Sequence, residues 1–108
     1  MSAIEYESHD LSANTNTKVK GGTTGKISTV SVVFCNRNAS DIKVRLASID
    51  DSDIANVADG DYMLYDVTVK ANDSLPWTGI LLKAGHSLMA RADSANVSVP
   101  VTALTEDE

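Results

Sequence analysis

The stretch Gly21–Lys26 has the glycines and the lysine of a phosphate-binding loop, but not their spacing. That motif needs two glycines five positions apart, followed by lysine and then by serine or threonine. Lys20 stands where the first glycine is required, and Ile27 follows the lysine. The motif also opens a helix, whereas the residues after Lys26 have the pattern of a strand. The sequence therefore does not predict a nucleotide site here.

The stretch Gly85–Met89 begins like the nucleophile elbow of a serine hydrolase and then departs from it. The elbow needs a second glycine, which Met89 replaces, and it lies at the end of a parallel sheet. A Ser-His-Asp arrangement would need His9 or His86 beside an activated serine. Nothing in the spacing suggests this, and each histidine is predicted to be a turn or surface residue. We therefore predict no catalytic residue and expect that the chain is not an enzyme.

Five aspartates lie in the segment Asp50–Asp61, and carboxylates are ligands that hard cations such as Ca²⁺ prefer. The EF-hand pattern is absent, because Ala55 occupies the third ligand position counted from Asp51. A zinc site would need more ligands than one cysteine and two separated histidines. The sequence predicts no metal and no cofactor. A calcium site in this acidic loop is the open alternative to a solvated loop.

The 108 residues carry a net charge of −6, with 9 Lys and Arg against 15 Asp and Glu. Nucleic-acid binding is not expected, because contact with the phosphate backbone needs clustered positive charge. The positive residues are concentrated in residues 18–45, and the rest of the chain is mostly acidic. This distribution favours pairing of copies through opposite charges, or docking on a charged partner. A solvated surface with uneven charge is the alternative.

Length and composition predict one globular domain over residues 1–108, with 43% hydrophobic and 22% charged residues. No apolar run approaches the roughly 20 residues of a membrane helix, so no membrane partner is expected. Residues 1–17 are rich in Ser, Asn and Thr and are a candidate N-terminal arm, with an edge strand as the alternative. Residues 105–108 are expected to form a solvated acidic tail.

Alternation with a period of two residues is the dominant pattern, and it predicts β-strands. Ile42–Leu46 is the clearest case, because its apolar and basic residues alternate. In Tyr62–Ala71 the alternation places Tyr65 on the same face as Val67 and Val69. One helical turn is indicated between residues 51 and 58. The predicted strands lie near residues 3–10, 16–20, 26–36, 41–49, 61–71, 75–83, 86–92 and 96–104.

Turn residues separate these segments at intervals of roughly ten residues, which is typical of antiparallel sandwiches and small barrels. We therefore predict an all-β fold, a single antiparallel β-sandwich of seven or eight short strands, either immunoglobulin-like or jelly-roll-like. Pro100 lies within an alternating run, so its strand is predicted to be at an edge or bulged. Gly79, close after Pro76, is predicted to mark a bulge or bend.

Two stretches of the chain combine strands and turns in a characteristic order. In the first, Val30–Asn38 and Ile42–Ala47 form two strands with a short polar turn between them. The second stretch runs through a turn, a short apolar strand, an alternating segment and a valine-rich strand: Ala71–Leu75, Gly79–Leu82, Ala84–Ala92 and Val97–Val99. Over roughly residues 20–104 this order resembles that of small structural proteins of tailed bacteriophages.

The resemblance implies a virion component, made in the host cytoplasm, with an immunoglobulin-like or jelly-roll-like sandwich. Proteins of this kind are head decoration or cement proteins, or belong to necks, tails and fibres. We expect a head decoration or cement protein that binds the capsid surface, with a neck, tail or fibre component as the alternative. The implied partners are further copies of the chain, as in a trimer, and a larger phage protein such as the major capsid protein. No catalytic residue is transferred.

Any site is therefore expected to be an interface, drawn from the segment Glu5–Leu11, the basic strand face and the single tryptophan. The candidate interface residues are Glu5, Tyr6, Leu11, Lys43, Arg45 and Trp77. For Trp77 a place in the core is favoured, and Cys35 is expected to be buried. A sugar-binding sandwich module is an alternative function, although most of the five aromatic residues are needed for the core. A small hydrolase is a third hypothesis, against which the failed motifs argue.

Overall fold

Two four-stranded antiparallel sheets face each other in the computed structural model, which describes residues 2–108. The eight strands are β1 (Ala3–Leu11), β2 (Thr17–Gly21), β3 (Lys26–Asn36), β4 (Ile42–Asp50), β5 (Tyr62–Val69), β6 (Ser74–Lys83), β7 (His86–Ala92) and β8 (Val97–Asp107). Two short 3-10 turns, Asp51–Asp53 and Asp59–Asp61, lie in the acidic loop between β4 and β5. The predicted all-β sandwich is confirmed, and each predicted strand occurs close to its expected bounds.

The chain is folded like one long hairpin. β1 pairs with β8, β2 with β7, β3 with β6 and β4 with β5, all antiparallel. The ladders β3–β8 and β4–β7 join these pairs into sheet A, ordered β1-β8-β3-β6, and sheet B, ordered β2-β7-β4-β5. Two packed sheets of four strands in this order form a jelly roll. An immunoglobulin constant-type domain instead has sheets of four and three strands.

The core lies between the two sheets and follows from the alternation in the sequence. In β3, Val30, Val32 and Phe34 are fully buried, while Thr29 points outward and is exposed. Leu46 of sheet B belongs to the same buried cluster. A smaller cluster packs under the acidic loop: Ala47, Ile49 and Met89. No helix in residues 2–108 is long and apolar enough to cross a membrane.

Three of the four edge strands carry a bulge, counted over the part of the chain that the structure describes. In β2 the register shifts between Lys18 and Lys20. In β6 one extra residue lies around Gly79, whose φ is 76°. In β5 one extra residue lies around Asp66, whose φ is 53°, and a second register shift lies at Met63. The bulge predicted at Gly79 is confirmed. The fourth edge strand, β1, pairs with β8 without a register shift over all nine residues.

The bulge in β5 overturns the predicted faces of that strand. The alternation placed Tyr65 with Val67 and Val69, but the extra residue between Leu64 and Val67 reverses the faces at this point. Leu64 and Val69 are consequently buried, whereas Tyr65 is 57% exposed. A bulge leaves one residue unpaired, so a strict period of two cannot continue across it.

The prediction that Pro100 lies in an edge or bulged strand is wrong, because β8 is a central strand between β1 and β3. The register pairs of β8 with β3 stop at Val32–Val101 and resume at Cys35–Ser98, whereas those with β1 run unbroken through Ser8–Pro100. Proline has no N–H group to donate. The gap shows that the missing N–H of Pro100 falls on the β3 side, where the ladder tolerates one lost bond.

The two predicted terminal features are both parts of the sandwich. The described residues of the candidate arm include β1, which pairs along its whole length with β8 of its own chain. At the other end β8 continues to Asp107, and Thr105 is buried. Asp107 forms an ion pair with Lys26. The prediction of a solvated tail over 105–108 is therefore wrong for Thr105, whereas Glu106 and Asp107 are exposed but belong to β8 through the ladder to β3.

Candidate functional site

The outer face of sheet A carries an uncharged apolar surface, which we call the sheet A patch. Its residues are Ile4, Tyr6, Thr29, Ser31, Leu81, Thr102 and Leu104. One row crosses all four strands, because Ile4 lies opposite Leu104, Leu104 opposite Thr29, and Thr29 opposite Leu81. A second row places Tyr6 opposite Thr102. All but Leu81 line a shallow cleft of about 550 Å³.

The exposure of this patch is unusual for a free surface. Ile4 is 67% exposed, Tyr6 75%, Leu81 66% and Leu104 42%. Single exposed apolar residues are common on proteins, but a contiguous group with a polar rim marks an interaction site. Charge lies only at the rim, where Glu106 and Lys83 flank Ile27 in the next row. The patch is therefore suited to an apolar partner surface.

Sequence reasoning found only Tyr6 among the large apolar residues of this patch. Ile4, Leu81 and Leu104 were missed, although the sequence carried a signal for one of them. In the apolar run Ile80–Leu82 a strand must turn every second residue outward, so a buried Ile80 and Leu82 leave Leu81 exposed. An unbroken apolar run in an edge strand with one solvated face is such a signal.

A second cluster lies on the outer face of sheet B, around the bulge of β5. The Arg45 guanidinium donates to both carboxylate oxygens of Asp66, at 2.7 and 3.2 Å. It also lies 4.2 Å from the centre of the Tyr65 ring, and Tyr62 packs edge-on against that ring at 4.8 Å. The hydrogen bonds from Arg45 lower the pKa of Asp66 and raise that of Arg45 itself. Arg45 is thus held by its own chain.

The predicted basic strand face is only partly available to a partner. Lys43 is exposed, as expected. Arg45 is engaged by Asp66, and its register partner across β7 is Arg91, which donates to the side-chain oxygen of Asn16 at 3.1 Å. Two arginines opposite each other repel. Each of the two guanidinium groups is bonded to a polar side chain of its own chain. The face is therefore less available to an acidic partner than its sequence suggested.

Glu5, another predicted interface residue, faces inward. The Nζ atom of Lys20 lies 3.3 Å from a carboxylate oxygen of Glu5 and 3.3 Å from one of Glu7. Thr105 donates a hydrogen bond to Glu5 and shares another, of 2.8 Å, with Ser28. The bond from Thr105 holds the pKa of Glu5 below its ordinary value. Lys20 is only 7% exposed, so these carboxylates supply its countercharge.

Leu11 and Trp77 lie in places that differ from their predictions. Leu11 is 2% exposed and belongs to the core, so the prediction of an interface role is wrong. Trp77 is 38% exposed on the edge strand β6, outside the core, and remains accessible to a partner. The favoured core position for Trp77 was therefore wrong. Cys35 is half-buried and not enclosed as expected.

The residues of the failed catalytic motifs have structural partners. Ser87 is 1% exposed, and its hydroxyl donates to a carboxylate oxygen of Asp51. The Nδ1 atom of His86 lies 3.4 Å from Asp50. His9 lies in β1, half-buried, with Nε2 2.9 Å from the carbonyl oxygen of Val19, so the surface or turn prediction is wrong for it. Within residues 2–108, no group of three or more His, Cys, Asp or Glu side chains is placed to hold a metal.

Comparison with known proteins adds no assignment. No family model matches the chain, and no curated protein matches it in sequence. The fold alone does not select a function, since jelly rolls serve in capsids, lectins and cupins. The surfaces described above are therefore the features of the molecule that bear on its function.

Proposed function

We propose that the chain is a structural protein of a tailed bacteriophage virion that binds the capsid surface as a head decoration or cement protein. The observation that carries the proposal is the sheet A patch, an uncharged apolar surface on an otherwise acidic chain. A partner that covers it removes Ile4, Tyr6, Leu81 and Leu104 from water. A neck, tail or fibre position uses the same surface and is the alternative.

The magnitude of the burial favours a protein that binds in many copies. Burying a large apolar side chain contributes about 1.5–3 kcal/mol. These four residues are 42–75% exposed in the free chain, so covering them contributes about 4–8 kcal/mol, against an association cost of about 4–15 kcal/mol. One patch alone gives weak binding. A repetitive shell that offers many equivalent sites, or an oligomer that carries several patches, raises the apparent affinity without new contacts.

The fold and the charge of the chain are compatible with this role. The jelly roll is an architecture of viral capsid domains, although fold by itself is an analogy and not an assignment. The net charge of −6 opposes unspecific clustering of free copies. The patch itself has no charged side chain, so no charge within the patch loses its water when a partner covers it.

The test is co-sedimentation with shells of the phage that encodes the chain, purified without this protein. We expect Leu81→Glu and Leu104→Glu each to lower shell affinity about tenfold or more, because each buries an unpaired carboxylate. Thr68→Glu on the exposed face of sheet B introduces the same charge as the two test variants and should bind like the natural chain. Equal binding by all variants, or no binding of the natural chain to shells, would refute the proposal; binding to purified tails instead would support the neck or tail alternative.

A carbohydrate-binding module is the second candidate, and the cluster on sheet B favours it. Tyr62, Tyr65 and Asp59 line a cleft of about 440 Å³, beside the charged pair Arg45 and Asp66. Exposed aromatic rings with polar groups at their edge present an apolar face and hydrogen-bonding partners together. Binding on a glycan array that Tyr65→Ala abolishes would establish this function. No binding across the array would remove it.

A further inference from the structure

The edge strand β1 differs from the other three edges of the sandwich. A bulge, a short length or a proline blunts an edge against pairing with another chain. Over the residues that the structure describes, β2 is five residues long and bulged, β5 is bulged at Asp66, and β6 combines Pro76 with a bulge at Gly79. β1 has nine residues in unbroken register and contains neither proline nor bulge.

The position of Pro100 shows which backbone N–H and C=O groups of β1 are open, that is, not bonded to β8. In an antiparallel ladder two opposite residues exchange both hydrogen bonds or none. Because Pro100 turns its bonding side toward β3, it exchanges none with Ser8, whose N–H and C=O therefore point away from β8. By alternation Ile4, Tyr6 and Asp10 do the same. Among residues 2–108, the backbone hydrogen bonds outside the strand ladders involve no residue of β1.

The inward side chains of β1 do not block this edge as strongly as their charges suggest. Inward-pointing charge is one means of protecting an edge. Here Glu5 and Glu7 both contact Lys20, and the Nε2 atom of His9 lies 3.4 Å from Glu7. Lys20 therefore offsets part of the negative charge of these two carboxylates within the chain. The outward side chains beside the edge, Ile4 and Tyr6, are apolar or amphipathic and highly exposed.

We propose that the β1 strands of two copies of this chain pair antiparallel about a two-fold axis, joining their A sheets into one eight-stranded sheet. The register that pairs most groups centres on Glu7, the middle residue of β1. It uses both open groups of Ile4, Tyr6, Ser8 and Asp10 from each copy. It also sets Tyr6 of one copy opposite the small Ser8 of the other, and Glu5 opposite His9. The two Glu7 residues lie opposite each other at the axis, where the Nζ atom of Lys20 in each copy is 3.3 Å from its own Glu7 and offsets their repulsion.

A second copy fits this edge better than an unrelated strand because the contacts repeat under the two-fold axis. Closed two-fold dimers are the commonest oligomers, and their interface is self-complementary. The large residue Tyr6 meets the small residue Ser8 twice, and the acid Glu5 meets His9 twice. The axis is perpendicular to the joined sheet, so the two sheet A patches lie on the same side. The dimer is independent of the proposed function, but it would present a doubled patch to a shell.

Backbone hydrogen exchange of the natural chain tests the pairing directly. The amides of Glu5, Glu7 and His9 bond to β8 in every copy, whereas those of Tyr6 and Ser8 are open in a free monomer. If nine in ten copies are paired at high concentration, exchange at Tyr6 and Ser8 slows by about tenfold relative to a dilute sample. Exchange at Glu7 should be slow at both concentrations, because its amide is bonded to β8 in the monomer as well. Concentration-independent exchange at Tyr6 and Ser8 would overturn the proposal.

Sedimentation equilibrium with an edge variant provides the second test. Ser8→Pro removes only an outward N–H, so the variant should fold and have the mass of a monomer. Ser8→Ala keeps the N–H and should form dimers like the natural chain. A Ser8→Pro variant that still dimerises, or dimers lost in Leu81→Glu instead, would show that the copies meet elsewhere. A natural chain that stays a monomer at all concentrations would overturn the dimer, whether or not it binds shells.

Discussion

Glu5 and Tyr6 show that neighbouring residues of β1 lie on opposite faces of the sheet. The sequence placed Glu5 beside Tyr6 as an interface residue, and the strand indeed exposes Tyr6. The period of two turns Glu5 the other way, toward Lys20 and Thr105. Those partners are 15 and 100 positions away in the chain. Pairing over such separations cannot be predicted from local pattern, so alternation predicts the exposed residue but not the partners of its buried neighbour.

The hydrogen bond from Thr105 makes stability sensitive to acid at Glu5. A carboxyl whose pKa is lowered on folding stabilises the folded state above the ordinary pKa of a glutamate. That stabilisation is lost as the pH falls through the lowered value. We expect Thr105→Val to raise the pKa of Glu5, because the charged form loses a donor. An NMR titration of the Glu5 carboxyl measures the change, and Thr102→Val on the outer face is the control. An unchanged titration in Thr105→Val would show that Lys20 alone sets the pKa.

At the scale of the strands, alternation and turn residues predicted all eight elements but not the places where the period breaks. Tyr65 was placed on the wrong face because the sequence around Asp66 has no glycine to indicate a bulge, whereas Gly79 indicates the bulge in β6. Asp66 adopts a φ of 53°, a conformation that aspartate reaches more readily than most residues. At Pro100 the sequence predicted an irregular or edge strand, and the structure has a regular central strand. A central strand accommodates the proline because the lost bond falls on one ladder only.

Gly79 is the position where the edge of sheet A depends on a glycine. Its φ of 76° lies in the left-handed region, and a Cβ atom there would meet no neighbour within 4 Å. Gly79→Ala should therefore destabilise the protein through the backbone alone, by about 1–2 kcal/mol. Gly60→Ala has equally open space but no positive φ, and should change stability by less than about 0.5 kcal/mol. Urea denaturation compares the two. Equal effects would mean that the bulge does not require the left-handed conformation.

For the whole molecule, the sequence predicted an all-β sandwich and left the order of its strands open. The order depends on ladders such as β1–β8, in which Ala3 meets Thr105. Turn residues determine where strands end, and they say little about which distant strand becomes the neighbour. The sheet A patch was missed for the same reason, since Ile4, Leu104 and Leu81 come from three separate strands and meet only in the finished sheet.

Phe34 tests how far both sheets depend on one core. Its side chain is fully buried in the cluster that spans the two sheets. Phe34→Ala should cost about 3–5 kcal/mol, a large part of the 5–15 kcal/mol typical of a whole domain. Thr29→Ala on the exposed side of the same strand should change stability by less than about 0.5 kcal/mol. Urea midpoints of the two variants give the comparison. A small loss in Phe34→Ala would indicate a core that collapses around the gap.

The pairing of Ala3 with Thr105 also determines how the fold responds to mechanical load. Because β1 and β8 are antiparallel neighbours, the two ends of the described chain leave side by side from the same end of sheet A. A force applied between those ends would open the β1–β8 ladder one rung at a time, starting at Ala3. A load spread over a face of the sandwich would instead act on several ladders together. Cargo tethered at the termini should therefore pull along the weakest direction of the fold.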